Sequence, residues 1–166
     1  MKRSKRAGEA AGATTIGLIS DTHGLMRPEA LAALQGSELI IHAGDVGKPE
    51  VIEQLRLVAP VAAVRGNIDK GAWASALPAT AVVETGSGRI YVLHDVKELD
   101  LAPVASQFHA VVSGHSHKAG QMERDGVLYL NPGSAGPRRF RLPITVARLD
   151  LRCSPWRVEF VELTPL

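Results

Sequence analysis

Short apolar runs alternate with amphipathic stretches along most of the chain. The runs at 15–20, 38–42, 61–64, 90–93, 110–113 and 127–130 are continuous rather than alternating in polarity. That character predicts strands of sheets covered on both faces. Between the first three runs the pattern predicts two helices, over 29–35 and 50–57. Each opens at a proline, Pro28 and Pro49, whose missing N–H costs nothing in a first helical turn. From position 79 onward the chain is strand-rich. Residues 79–84 and 89–94 flank Thr85-Gly86-Ser87-Gly88, and 121–124 meets Val127 through Asp125-Gly126, so two hairpins are expected. Residues 144–149 and 156–163 read as two closing antiparallel strands. The order predicts an α/β domain that begins βαβαβ and continues as mixed sheet.

The informative polar residues stand directly behind these runs. Asp21 and His23 follow the first, Asp45 the second, Asn67 the third, His94 the fourth, and His115 and His117 the fifth; Asn131 closes the sixth. In an open α/β sheet the carboxyl ends of strands border one crevice, so six strand ends are expected to converge there. Residues two apart in extended backbone point to one side, which makes Asp21/His23 and His115/His117 two pincers. Gly44, Gly66 and Gly114 adjoin the candidates and permit tight turns and a close backbone approach. Taken singly, Asp and Asn at strand ends are also ordinary turn formers and helix caps. Four histidines in the same pattern, His23, His94, His115 and His117, are not explained that way.

Carboxylate, imidazole and amide donors without thiolate suit hard or borderline divalent ions rather than a structural zinc. Seven donor residues exceed the needs of one ion. Two ions sharing a carboxylate form the usual clamp for displacement at phosphorus. His42 and His109, inside or beside apolar runs, are expected in the core or behind the ligands. Arg65, Arg138 and Arg139 are candidates for phosphate oxygens or for plain solvated surface. Trp73 is open to a lid, a partner contact or the core.

Composition narrows the classes. The chain has 166 residues, 45% apolar and 22% charged, with 16 Gly and 10 Pro, which fits one globular domain. The formal charge is +2, but Lys2, Arg3, Lys5 and Arg6 against Glu9 put a surplus of three in the first nine residues. The remainder is near neutrality, so no global nucleic-acid footprint exists. Residues 1–14 are expected to be a disordered basic tail and 15–166 the domain. Cys153 stands alone, excluding an internal disulfide and fitting a reducing, cytoplasmic setting. Neither a signal peptide nor a membrane-spanning run is expected.

The order Asp21-Thr22-His23, Gly44-Asp45, Gly66-Asn67, His94 and Gly114-His115-Ser116-His117 resembles the calcineurin-like metallophosphoesterases. With Asn131-Pro132-Gly133-Ser134 it is similar to that family's compact branch, bacterial and archaeal phosphodiesterases that share a fold with the retromer's small scaffold subunit. The resemblance implies a two-sheet β-sandwich flanked by helices, a four-layer αββα fold. It implies one ion on Asp21, His23, Asp45 and His117 and another on Asp45, Asn67, His94 and His115. Asp45 then bridges, a hydroxide shared by the ions is the nucleophile, and Asp45, Asn67 and His94 form the catalytic set. The expected cofactor is a manganese pair, with Fe, Zn, Ni or Mg as alternatives. The expected substrate is a small phosphodiester, with phosphomonoester hydrolysis or a non-catalytic metal-binding scaffold as the rival readings and homo-oligomerisation left open. Two departures stand out. Ile68 follows Asn67 where larger members carry a histidine that assists the leaving group, and Asp95 follows His94 where glycine is usual.

Overall fold

The computed structural model describes residues 12–164. Its first half runs β1 (Thr15–Ile19), α1 (Pro28–Ala33), β2 (Leu39–His42), α2 (Pro49–Arg56), β3 (Val61–Ala63) and α3 (Ala72–Ser75). Then come β4 (Thr80–Thr85), β5 (Gly88–Leu93), a 3-10 turn at Val96–Glu98, β6 (Ala110–Val112), β7 (Gly120–Arg124), β8 (Val127–Asn131), β9 (Thr145–Asp150) and β10 (Arg157–Glu162). Two five-stranded mixed sheets result, ordered β10-β9-β1-β2-β3 and β4-β5-β6-β8-β7. In the first, β1, β2 and β3 are parallel, β9 runs antiparallel beside β1, and β10 runs antiparallel to β9 at the edge. In the second, β5, β6 and β8 are parallel, with β4 and β7 as antiparallel edges.

Strand periodicity divides the apolar side chains between layers. Ile16 and Leu18 of β1 and Leu39 and Ile41 of β2 meet Ile90, Val92, Ala110 and Val112 between the sheets. Ile19 and Ile40 face the other way, against Leu34 behind α1 and Val51, Ile52 and Leu55 of α2. On α2 those three lie within one turn, so a single stripe is buried. The outer face of the second sheet, with Tyr91, Leu93, Val111 and Val127, is covered by Phe108, Leu99 and Leu101 of the segment between β5 and β6. The architecture is the expected four-layer sandwich, its outer layer thin on that side.

The expected elements all form, with ends moved by one or two residues. The two unforeseen ones, α3 and the 3-10 turn, are four and three residues long and too short to show a period. Trp73 sits on α3, partly buried against the helical core, which settles it as a packing residue. His109 is exposed and stacks on Trp156 with centroids 5.6 Å apart, so it is neither core nor behind a ligand. The expectation for a basic tail lies outside the described residues up to position 11; Thr14 donates to Glu38 through its backbone N–H at 3.0 Å and its hydroxyl at 2.7 Å. Among the described residues no helix is long and apolar enough to cross a membrane.

Candidate metal centre

The carboxyl ends of β1, β2 and β3 in one sheet and of β5, β6 and β8 in the other open at a common edge. Backbone bonds stitch the loops within each sheet: Asp21 N–H donates to Gly44 O at 3.0 Å, His23 N–H to Asp45 O at 3.0 Å, and Gly114 N–H to His94 O at 2.9 Å. Side chains stitch across the sheets. His94 Nδ1–H donates to Ala43 O at 2.7 Å, and His115 N–H donates to Asp21 Oδ2 at 3.1 Å. Two groups of donor atoms within 4.8 Å of one another follow, Asp21/His23/His117 and Asp21/Asp45/His94. This gives the capacity for a dinuclear metal site.

Each carboxylate offers one occupied and one free oxygen. Asp21 Oδ2 accepts from Ser20 Oγ at 2.7 Å and from the His115 amide, whereas Oδ1 has no hydrogen-bond partner although Asp21 is fully buried. That oxygen lies 3.3 Å from His117 Nε2 and 3.9 Å from both His23 Nε2 and His94 Nε2. Asp45 Oδ1 accepts from Ile68 N–H at 3.1 Å, while Oδ2 lies 3.5 Å from His23 Nε2 and 3.3 Å from His94 Nε2. Both free oxygens therefore stand between the two histidine groups. His23 Nε2 and His117 Nδ1 are also buried without a partner. Leaving such groups unpaired costs about 1–3 kcal/mol each, more when charged, and a divalent cation between Asp21 Oδ1 and His23 Nε2 would remove that cost for both. The residues fit the metal their chemistry implies.

The pincers form differently from the expectation of extended backbone. Asp21, His23, Asp45, His115 and His117 have φ of 56°, 48°, 54°, 70° and 62°, all left-handed. Five of the seven candidates thus sit in turns beyond the strand ends, in a region costing non-glycine residues about 1–3 kcal/mol and concentrated at functional sites. The glycines serve the ligands more than an ion: a Cβ on Gly66 would strike Asp45 Oδ1, and one on Gly114 would strike Ser20 Oγ and Asp21 Oδ2.

Supporting residues surround the donors. Asp69 is buried and accepts from the backbone N–H groups of Val46, Gly47 and Gly66 at 3.0, 2.9 and 2.8 Å, binding the Asp45 loop to the Asn67 loop. No sequence pattern announces that role, since its partners are amides. His42 is the buried support expected. Thr22 Oγ1 donates to Val46 O and so accepts from His42 Nε2–H at 3.0 Å, while His42 Nδ1 accepts from Gly44 N–H at 3.1 Å. Burial, joined by the nearby His94 and His23, pushes its pKa down to about 3. Asn131 donates to Gly114 O at 3.0 Å and to Ser116 Oγ at 3.1 Å, shaping the turn that carries His115 and His117.

Titration separates the two histidine groups. Burial lowers the His117 pKa, and the charges of Arg139 and His23 add to it against the pull of Asp21 and Asp45. Burial would lower His94 as well, but its bonds to Asp45 and the Ala43 carbonyl, with the charges of Asp45 and Asp21, outweigh it and raise the pKa above 6.5. For Asp45, burial is outweighed by the bonds from His94 and Ile68, and its pKa falls below 3.8.

The His94 side is the open one. Asn67 Oδ1 lies 3.1 Å from His94 Nε2. The His115 ring packs edge-on against His94 with centroids 5.1 Å apart, but its Nε2 turns to Asp95 Oδ2 at 3.7 Å, and it joins neither donor group. Asp95 also accepts from Lys97 N–H at 3.0 Å as the cap of the 3-10 turn, so it is not a plain surface carboxylate. These residues border a cavity of about 360 Å³ with Arg65, Glu98 and Asp100 on its wall. Arg65 spends one guanidinium nitrogen on Leu77 O at 2.7 Å. Arg138 and Arg139 are exposed on the other flank.

Residues 15–154 match the calcineurin-like phosphoesterase superfamily domain. The chain belongs to that superfamily. A protein of Methanothermobacter thermautotrophicus named "Probable metallophosphoesterase" is 34% identical over 148 residues, 81% of this chain and 86% of that one. Among solved structures, an archaeal phosphodiesterase superposes with a TM-score of 0.73 at 25% identity, covering 89% of this chain and 99% of its own. Vps29 of Chaetomium thermophilum gives 0.72 at 21% identity over 92% of this chain and all of its own, a likeness of fold. The metal-donor clusters and superfamily membership together support a metal-dependent phosphoesterase.

Proposed function

We propose that this calcineurin-like phosphoesterase hydrolyses phosphodiesters with a pair of divalent ions, manganese foremost. Asp21, His23, Asp45 and His117 hold one ion; Asp45, Asn67, His94 and His115 hold the other. The observation that carries the reading is a pair of buried donors lacking partners, Asp21 Oδ1 and His23 Nε2, with His117 Nε2 3.3 Å from that Asp21 oxygen at a strand-end crevice. When bound, the ions polarise phosphoryl oxygens and make water a nucleophile near neutral pH. The chain's own part is positioning. Ile68 N–H holds Asp45 Oδ1, leaving Oδ2 as the oxygen common to both sides. The Ala43 carbonyl binds His94 Nδ1–H and so directs Nε2 inward beside Asn67 Oδ1. The cavity next to His94 receives one arm of the ester. The likeness to an archaeal phosphodiesterase favours diesters over monoesters.

The test is hydrolysis of bis(4-nitrophenyl) and mono(4-nitrophenyl) phosphate by metal-stripped protein with Mn, Fe, Zn, Ni and Mg returned singly. The expected result is restored turnover, fastest with manganese and favouring the diester. A monoester preference would make the chain a phosphomonoesterase, and metal binding without turnover of either ester would leave a scaffold.

A further inference from the structure

One exposed segment near the centre has no role in the reading above. Between β8 and β9 the chain is first sewn to Asp21. Ser134 Oγ donates to Asp21 O at 3.1 Å, Ala135 N–H donates to Ser20 O at 3.0 Å, and Arg27 donates to Gly136 O at 3.3 Å. Gly136 lies so close to the Asp21 and Thr22 carbonyls that a Cβ there would strike both. The next five residues, Pro137-Arg138-Arg139-Phe140-Arg141, are all exposed. Phe140 is 92% exposed on a left-handed backbone of φ 53°. A non-glycine residue in that conformation costs about 1–3 kcal/mol, and among the described residues Phe140 belongs to no hydrophobic core cluster that would offset it. The ion pairs of the described arginines involve Arg89 and Arg152, not Arg138, Arg139 or Arg141.

Charge is distributed unequally across the centre. The cavity beside His94 and His115 has Asp95, Glu98 and Asp100 against Arg65. The opposite flank has three arginines in four residues, with Lys118 exposed next to His117, and the Arg139 charge is felt at His117. A polyanion is repelled on one side and attracted on the other. Guanidinium groups match phosphate geometry, and an exposed ring between basic residues is the unit on which single-stranded nucleic acids stack their bases. The near-neutral domain hides this because the positive charge is local.

We propose that residues 137–141 bind single-stranded nucleic acid, Phe140 stacking a base while Arg138, Arg139 and Arg141 take flanking phosphates. Resting on the hydrolytic reading, the segment leads one phosphodiester to the centre from the Asp21 side. The test is fluorescence anisotropy of the metal-loaded protein with a labelled phosphorothioate octanucleotide, an abasic strand of equal length and an octaglutamate peptide. The expected result is tighter binding of the base-bearing strand and none of the peptide. Phe140→Ala weakens the base-bearing strand about tenfold or more and leaves the abasic strand unchanged, while Phe140→Tyr restores it. Replacing any one arginine by Ala weakens both strands. It also flattens the slope of log affinity against log salt from about −2 toward −1.4.

Equal binding of base-bearing and abasic strands, an unchanged affinity in Phe140→Ala, or peptide binding as tight as the strand's would overturn the proposal. Turnover of methyl 4-nitrophenyl phosphate is measured alongside and is expected to be unchanged in Phe140→Ala. No turnover by the wild type with strand binding intact would sink the hydrolytic reading and uphold the segment as a binding site.

Discussion

The two sides of the centre are built by different rules. Asp21 and His117 are 0% and 5% exposed, on left-handed turns sewn into the sandwich by Ser20 and Ser134. Opposite them, Asn67 is exposed, the His115 side chain is 47% exposed and faces Asp95, and both line an open cavity. One side is an extension of the core, its desolvation cost met when the protein folds. The other is a wall that a substrate meets. Asp45 joins them, its single free oxygen within 3.5 Å of a histidine from each.

The largest effect that can break this comparison is at the joint. Asp45→Asn is expected to weaken both ions and to lower turnover by more than about a hundredfold, beyond the range seen for residues that only support ligands. His23→Ala is expected to empty one site and spare the other. Metal content of the purified variants checks both, and two ions held by Asp45→Asn at native affinity would remove Asp45 from the bridge.

On the open side the position after Asn67 offers the leaving group no acid. Ile68 is 40% exposed where a donor could stand, Asp69 is engaged by three amides, and His42 is buried with both nitrogens bonded. Because acid assistance is worth roughly a hundred- to ten-thousandfold, aryl diesters are expected to outpace alkyl diesters by about that ratio. A series of leaving groups measures it; a flat dependence with chemistry rate-limiting would reveal another acid.

Asp69→Asn sharpens the comparison by loosening only the loops behind the joint. It exchanges a carboxylate with three amide donors for a weaker acceptor, an expected loss of about 1–3 kcal/mol in denaturant unfolding. An unchanged midpoint would mean that the two loops hold each other without it.

The smallest effect is in protons. The His94 pKa is raised, so the ring holds a proton more firmly than an ordinary histidine and a metal must compete with it; the His117 pKa is lowered, so its ring gives up a proton more readily. Binding on the His94 side should therefore release more protons than binding on the His117 side, and its apparent affinity should rise with pH until the raised pKa is passed. In the metal-free protein the two histidines act on stability with opposite signs. The stability His94 adds is complete below 6.5 and lost as pH rises through its folded value, whereas that linked to neutral His117 is lost as pH falls. Calorimetry in buffers of different ionisation enthalpy counts the protons, and equal release at both sites would contradict the division.

Much of this was legible in the sequence because strand ends are. An apolar run followed at once by Asp, Asn or His fixes both the end of a strand and the edge it faces, and six such ends name one crevice. The left-handed backbone at Asp21, His23 and Asp45 was not legible, since side-chain identity at a non-glycine position says little about the sign of φ. Nor was Asp69, whose partners are backbone amides at 46, 47 and 66. His115 shows the limit of motif reading: the pattern supplies the residue, but its ring is turned to Asp95, a neighbour that motif position alone does not assign to it.

The most direct test is a titration of metal-stripped protein with manganese, following bis(4-nitrophenyl) phosphate hydrolysis against ions bound per chain. A two-ion centre joined through Asp45 predicts little turnover through the first equivalent and a rise that saturates at the second. Full turnover at one ion per chain, or turnover that persists after chelation, would contradict it.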